Sequence, residues 1–295
     1  MPIVAMKDLI DHACAHRYAV GAYQAADSNF VSAIIDAAEA EEAPVIVSFA
    51  ESHGIHHDFP MLLKAAQVAA QRARVPVSLL FDHASGPATI AEAIRLGCQG
   101  VMADYSDQPF DANVSATRAV VDLAHARKIA VEGELGYVPG VSGDEALRHP
   151  GRMRLTAPQE AADYVAATGV DCLAVAVGTV HGHRVGEPRL DLDRLADIAA
   201  AVKVPLVIHG GSGLADEEYR GLTERGVAKI NYFTALSDVA AAAASDALAD
   251  IEAGYLCAID AVRAAVASEV ARTLALFGAS KQAASALQRC RSLAG

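Results

Sequence analysis

The feature that most limits what this chain can become is a repeating unit: a short β-branched, apolar run followed by roughly ten to fifteen residues with helical spacing of apolar side chains. A helix pattern over Met6–Arg17 leads into a strand predicted at Tyr18–Tyr23. Further strands are predicted at Pro44–Phe49, Val75–Phe81, Gly100–Asp104, Ile129–Glu134, Cys172–Val177, Val204–Ile208 and Val227–Tyr232. Between them, Asp27-Ser28-Asn29 caps a helix to Glu42, and others are predicted over Pro60–Ala73, Pro87–Leu96, Asn113–Arg127, Pro158–Thr168 and Leu192–Ala201. Eight such units predict an α/β chain closed into a parallel (β/α)8 TIM barrel rather than a doubly wound open sheet. No low-complexity linker divides the chain, so residues 1–295 are expected to form one barrel domain. Two extra C-terminal helices are predicted after the last strand, Leu236–Ala253 and Ala258–Leu276. Their apolar faces need cover, either from the barrel or from a second copy, which brings in a homodimer or homotetramer.

Charge narrows the partners. A formal net charge of −12 argues against nucleic acid, whose binding needs a basic surface, but leaves room for a phosphorylated small molecule held by local donors. Five scattered cysteines without C-x-x-C spacing suggest neither a disulfide framework nor a thiolate zinc site. The segment Met1–Asp8 has no basic-then-apolar leader pattern, and no uncharged apolar run reaches spanning length, so a cytoplasmic protein with no membrane partner is expected.

Barrels of this kind carry their chemistry at the carboxyl ends of the strands. Standing there are Asp82 and His83, Glu132 and Glu134, His181, His209 and Asn231. Three imidazoles from three strand ends can converge on one ion and leave a position open for substrate, as a catalytic zinc site requires. After His209 come Gly210, Gly211, Ser212 and Gly213, a composition that lets backbone N–H groups close around an anion before the helix opened by Asp216-Glu217-Glu218. The cluster His53, His56 and His57 has the residue types to bind a metal but reads first as a solvated loop at the mouth, His183 is expected to point away from any ion, and His12, His16, His125 and His149 read as helix or loop residues. Glu132 and Glu134 fit either a metal-proximal pair or a buried polar pair tied into the barrel interior.

Taken together, Phe81-Asp82-His83, Val131-Glu132-Gly133-Glu134-Leu135-Gly136, Val175-Ala176-Val177-Gly178-Thr179-Val180-His181-Gly182, His209-Gly210-Gly211-Ser212-Gly213 and Lys229-Ile230-Asn231 resemble, in order and spacing, the class II zinc-dependent ketose-bisphosphate aldolases of the fructose and tagatose type. Val101–Ser106 with Pro109-Phe110 and the terminal Leu276–Ser280 extend the likeness over nearly the whole chain. The resemblance implies a lyase that cleaves a ketose 1-phosphate or 1,6-bisphosphate to dihydroxyacetone phosphate and an aldehyde through a zinc-stabilised enediolate. It implies Zn2+ on His83, His181 and His209, with Glu134 near the ion and Glu132 behind it. Asp82 becomes the acid/base on the C4 hydroxyl. Gly182, Gly210, Gly211, Ser212 and the backbone around Thr234 become the phosphate cradle, and Asn231 a contact for the hydroxyls. A monovalent cation, Na+ or K+, near the phosphate is also implied.

Three departures from the family pattern stand out. Where these aldolases carry a lid with a Gly-Gly-x-Glu-Asp type motif, this chain has Ser142 at the simplest alignment and its acids slightly later; Glu145 is assigned the proton-exchange role, with Asp144 next. Phe233 replaces a small or acidic residue and reshapes the mouth. The Asp-Pro-Arg run before the last helix is missing, leaving Arg263 as the nearest basic candidate for a second phosphate. These departures keep open a substrate without that phosphate. The rival readings are a metal-dependent hydrolase on the same barrel and a non-catalytic aldolase-like subunit.

Overall fold

A computed structural model describes residues 2–140, 151–183, 190–249 and 254–291. Eight parallel strands close in chain order into a barrel, β8 pairing with β1. They are β1 (Val20–Gln24), β2 (Val45–Ala50), β3 (Val77–Ala84), β4 (Gly100–Ala103), β5 (Ala130–Leu135), β6 (Cys172–Val175), β7 (Leu206–Ile208) and β8 (Val227–Tyr232). The helices are α1 (Met6–His16), α2 (Ser28–Ala40), α3 (Phe59–Arg72), α4 (Pro87–Leu96), α5 (Phe110–His125), α6 (Pro158–Thr168), α7 (Leu192–Ala201), α8 (Asp216–Thr223), α9 (Thr234–Ala249), α10 (Gly254–Leu276) and α11 (Ala283–Arg289). The fold is the (β/α)8 barrel expected, with helices added after β8.

Local chemistry sets the boundaries. Asp27 caps α2 by accepting from the backbone N–H groups of Asn29 and Phe30 at 2.7 and 3.0 Å. Proline opens α4 and α6, where a missing N–H costs nothing, and Gly97 and Gly169 end them in the left-handed conformation. α10 buries Val266, Val270 and Leu274 and lies against α2, so the barrel wall supplies the cover for that face.

Side chains alternate across each strand, so residues two apart share a face. Glu132 and Glu134 on β5, and Lys229 and Asn231 on β8, therefore project together into the barrel interior. β3 breaks this rule. Its register against β4 runs from Phe81 opposite Val101 to Ala84 opposite Ala103, one residue more on β3 than on β4, and His83 sits at φ +49°. This bulge lets two consecutive residues, Asp82 and His83, serve the same site.

A second polar layer braces β5 from outside. Asn113 Nδ2 donates to the Glu134 carbonyl at 2.9 Å, and the hydroxyl of the fully buried Tyr164 reaches Asn113 Oδ1 at 3.0 Å and the Thr117 hydroxyl at 2.9 Å. Tyr164→Phe leaves those groups short of a partner and is expected to cost about 1–2 kcal/mol. A shift of the urea midpoint with an unchanged m-value measures it; an unshifted midpoint removes the brace from the account.

Candidate metal and substrate site

The bulge on β3, the segment after β6 and the end of β7 bring three imidazoles together. His83, His181 and His209 each offer a ring nitrogen, and the three nitrogens lie within 4.8 Å of one another. Each ring is held from behind. Asp104, just past β4, bonds His83 Nδ1 at 2.7 Å; the Val138 carbonyl accepts from His181 Nδ1 at 3.2 Å; Glu132 Oε1 lies 2.8 Å from His209 Nε2. The nitrogens through which they would ligate are then Nε2, Nε2 and Nδ1. Such outer partners orient metal-binding imidazoles and raise their basicity.

The chemistry of the set fits a metal ion. His209 Nδ1 and Glu134 Oε2 are buried and 3.2 Å apart, yet neither has a hydrogen-bond partner among the described residues. A buried ion pair that makes no hydrogen bond leaves polar capacity that a cation would take up. Three nitrogen donors with a carboxylate alongside suit zinc or a similar divalent ion. Without the ion, burial opposes charge on His209, but Glu132 and Glu134 outweigh it and push its pKa up to about 10. Burial likewise opposes a charged His83, and Asp82 and Asp104 outweigh it and raise its pKa; Asp104 in turn is held well below the usual carboxylate range, mainly by His83, against its own burial.

Beside the imidazoles, one cavity is lined by Asp82, His83, His181, Gly210, Gly211, Ser212, Asn231 and Thr234, together with Gln24, Ser48, His53 and Phe233. Asp82 is 3 % exposed; its Oδ2 accepts from Asn231 Nδ2 at 3.0 Å, while its Oδ1 is buried without a hydrogen-bond partner among the described residues. Lys229, fully buried, donates to Glu132 Oε2 at 2.8 Å and to Asn231 Oδ1 at 2.6 Å. The charge of Lys229 and the bond from His209 hold Glu132 well below its ordinary pKa, against the effect of its burial.

The glycine loop is tight enough to exclude side chains. Gly210 sits at φ +66°, and a Cβ there would strike the Val180 carbonyl. A Cβ on Gly211 would come within 2.6 Å of Ile230 and 2.7 Å of the Asn231 carbonyl. Gly210→Ala is expected to cost more than about 1 kcal/mol and to raise KM for a phosphorylated substrate; a KM equal to wild type would separate this loop from substrate binding.

Of the cradle residues expected from sequence, Gly210, Gly211, Ser212 and Thr234 line the cavity, while the start of α8 does not face it. The acidic start of α8 is closed by its own Glu218, which accepts from the Ala215 N–H at 2.7 Å, and the Gly211 N–H is already bonded to the Asn231 carbonyl at 3.1 Å. The cavity opens on the first turn of α9 at Thr234, the first N–H groups of a helix being a general anion site, and on Ser212, whose hydroxyl accepts from the Phe233 N–H at 3.3 Å. Gly182 follows His181 at φ +85° and lets the chain turn away.

Other expectations change as well. His53 is not solvated: it is 6 % exposed, bonded to Gln24 Nε2 at 3.1 Å through Nδ1, and packed on Phe233 with ring centroids 4.8 Å apart. Its short 3-10 turn, Glu51–Ile55, tucks it back under the mouth. His183 does point away, lying 3.4 Å from Asp238. Arg263 lies on α10 and bonds Asp36 of α2, on the outer helices. Ser142, Asp144 and Glu145 lie outside the described residues. Asp104, Gln24, Ser48, His53 and Lys229 had no role assigned from sequence. Asp104 ends a predicted strand just as Asp82 does, and a lysine inside a buried strand implies a buried carboxylate nearby; both signals were there to be used.

Residues 4–282 match the family model for fructose-bisphosphate aldolase class II. The fructose-bisphosphate aldolase of Staphylococcus aureus is 35% identical over 251 residues, covering 84% of this chain and 87% of that protein. The fructose-bisphosphate aldolase of Staphylococcus epidermidis is 36% identical over 237 residues, covering 79% and 82%. The crystal structure of the YdjI aldolase from Escherichia coli K12 superposes with a TM-score of 0.84 at 31% identity, covering 95% of this chain and 99% of that one.

Proposed function

The chain belongs to the class II fructose-bisphosphate aldolase family, and is thus a carbon–carbon lyase of a generally metal-dependent class acting on phosphorylated sugars; from that premise we propose that it reversibly cleaves a ketose 1-phosphate or 1,6-bisphosphate to dihydroxyacetone phosphate and an aldehyde. The observation that carries this reading is a single cavity in which a carboxylate with one uncommitted oxygen faces both the imidazole cluster and the glycine loop.

His83, His181 and His209 would hold the ion, which we take to be Zn2+, with Glu134 beside it. When bound there, such an ion would supply Lewis-acid stabilisation for the negative charge that cleavage of C3–C4 leaves on the dihydroxyacetone half. The protein does the rest. Ser212, Gly210, Gly211 and Gly182 shape the phosphate end, the N–H groups at Thr234 supply its donors, and Asn231 contacts the hydroxyls. Asp82 Oδ1 takes the C4 hydroxyl proton during cleavage and returns it during synthesis. His53 and Phe233 form a wall of the same cavity. Glu145 is the acid proposed to exchange the proton at C3, with Asp144 as the alternative. Because Arg263 is committed to Asp36, a substrate without a second phosphate is included in this reading.

The test is dihydroxyacetone phosphate release from fructose 1,6-bisphosphate, tagatose 1,6-bisphosphate and ketose 1-phosphates. Release that a chelator abolishes and Zn2+ restores is expected. Bound zinc with no release from any of them would favour the hydrolase reading, and a chain that takes up no metal would favour the non-catalytic subunit.

A further inference from the structure

We propose that Lys229 is a positioning residue that sets two orientations at once: which oxygen of Asp82 handles the proton, and which nitrogen of His209 faces the metal. The inference rests on the roles given above to Asp82 and His209.

An ammonium group has three donors and no acceptor. The Asn231 atom 2.6 Å from Lys229 Nζ is therefore the amide oxygen, because the reversed amide would set donor against donor. Nδ2 is thereby turned to Asp82 and donates to Oδ2 at 3.0 Å. With Oδ2 held as an acceptor, Oδ1 is the oxygen left to take the substrate proton, and it is the one buried without a partner among the described residues.

The other arm works through Glu132. Lys229 Nζ occupies Oε2 at 2.8 Å, where the Cys172 thiol also donates at 3.7 Å, and Oε1 is left to receive His209 Nε2 at 2.8 Å. When the ring gives up one proton to bind an ion, the proton kept on Nε2 leaves the lone pair on Nδ1, the nitrogen beside Glu134 that has no hydrogen-bond partner among the described residues. Glu132 alone would neutralise a buried lysine. The second bond, to Asn231, is what a plain ion pair has no need of, and it joins the base to the metal ligand through one cation.

Two double-mutant cycles test this on the full-length protein. The readouts are kcat at saturating Zn2+, on whichever ketose phosphate the wild type cleaves, and Zn2+ affinity by chelator competition. Lys229→Met should lower kcat and weaken Zn2+ binding, each by roughly 10- to 100-fold. Combined with Asn231→Ala, its effect on kcat should shrink to about twofold or less, and combined with Glu132→Gln its effect on Zn2+ affinity should do the same. An undiminished factor in both backgrounds overturns the proposal, since a lysine that merely fills space acts independently of either neighbour. If Lys229→Met alone does not fold, the kcat cycle is run in the Glu132→Gln background, where no carboxylate is left unpaired. A wild type that binds Zn2+ but cleaves none of the panel refutes the substrate assignment, and the Zn2+ cycle still decides for or against Lys229.

Discussion

Asp82→Asn is expected to lower kcat for ketose phosphate cleavage by about two to four orders of magnitude while leaving fold and metal content intact. The substitution is isosteric. Asn231 can still donate to the oxygen of the new amide, so the local packing survives. What disappears is the only feature of the side chain the reaction needs, an oxygen able to accept and return a proton at Oδ1. Steady-state kinetics with zinc quantified per chain checks this. Turnover within tenfold of wild type would move the base elsewhere, with Glu134 the next carboxylate in the cluster.

His209→Ala is expected to remove metal binding and, in addition, to destabilise the metal-free protein by on the order of 3–5 kcal/mol, because it strips a partner from two buried carboxylates. Surface ligands would not show that second effect. The pH dependence has a definite sign. The folded His209 has a pKa of about 10 against an ordinary value of 6.5, so its ionic contribution is fully present below 6.5 and is lost as pH rises toward 10. Zinc requires the ring to give up that proton, so metal gains ground over the same range. The gap in Tm between zinc-loaded and chelated protein should therefore widen from pH 7 to 9.5, and be reduced in His209→Ala. A gap that narrows with pH would contradict the electrostatics described here.

Much of this was legible beforehand, for local reasons. α4, α6 and α7 fall on the predicted residues because proline or Asp191 starts each one and the apolar spacing runs without interruption. The seven-residue α11 escaped because so short a helix has little periodicity to detect. Motif residues that act singly, such as Asp82 and His209, announce themselves by standing at strand ends. Residues whose meaning depends on barrel closure do not. Lys229 needs β8 inside the barrel opposite β5 before its two bonds exist, and His53 needs its turn folded back against β1 and Phe233 before it is more than a loop histidine. Closure also decides which helix start meets the glycine loop: the glycines before α8 pointed by composition to that helix, which its own Glu218 closes, whereas Thr234, named only through the resemblance, begins α9, which faces the cavity.

The bulge in β3 also acts as a ruler. Most pairs of functional groups in a barrel come from different strands, and the distance between them changes whenever the sheet breathes or a loop shifts. Asp82 and His83 are joined by one peptide unit, so their Cα atoms stay about 3.8 Å apart whatever the barrel does. The spacing of the proposed proton acceptor and the proposed metal ligand is thus held by covalent geometry. A variant that irons out the bulge would leave both residues in the chain, turn His83 to the helices and disconnect acid from metal without deleting either.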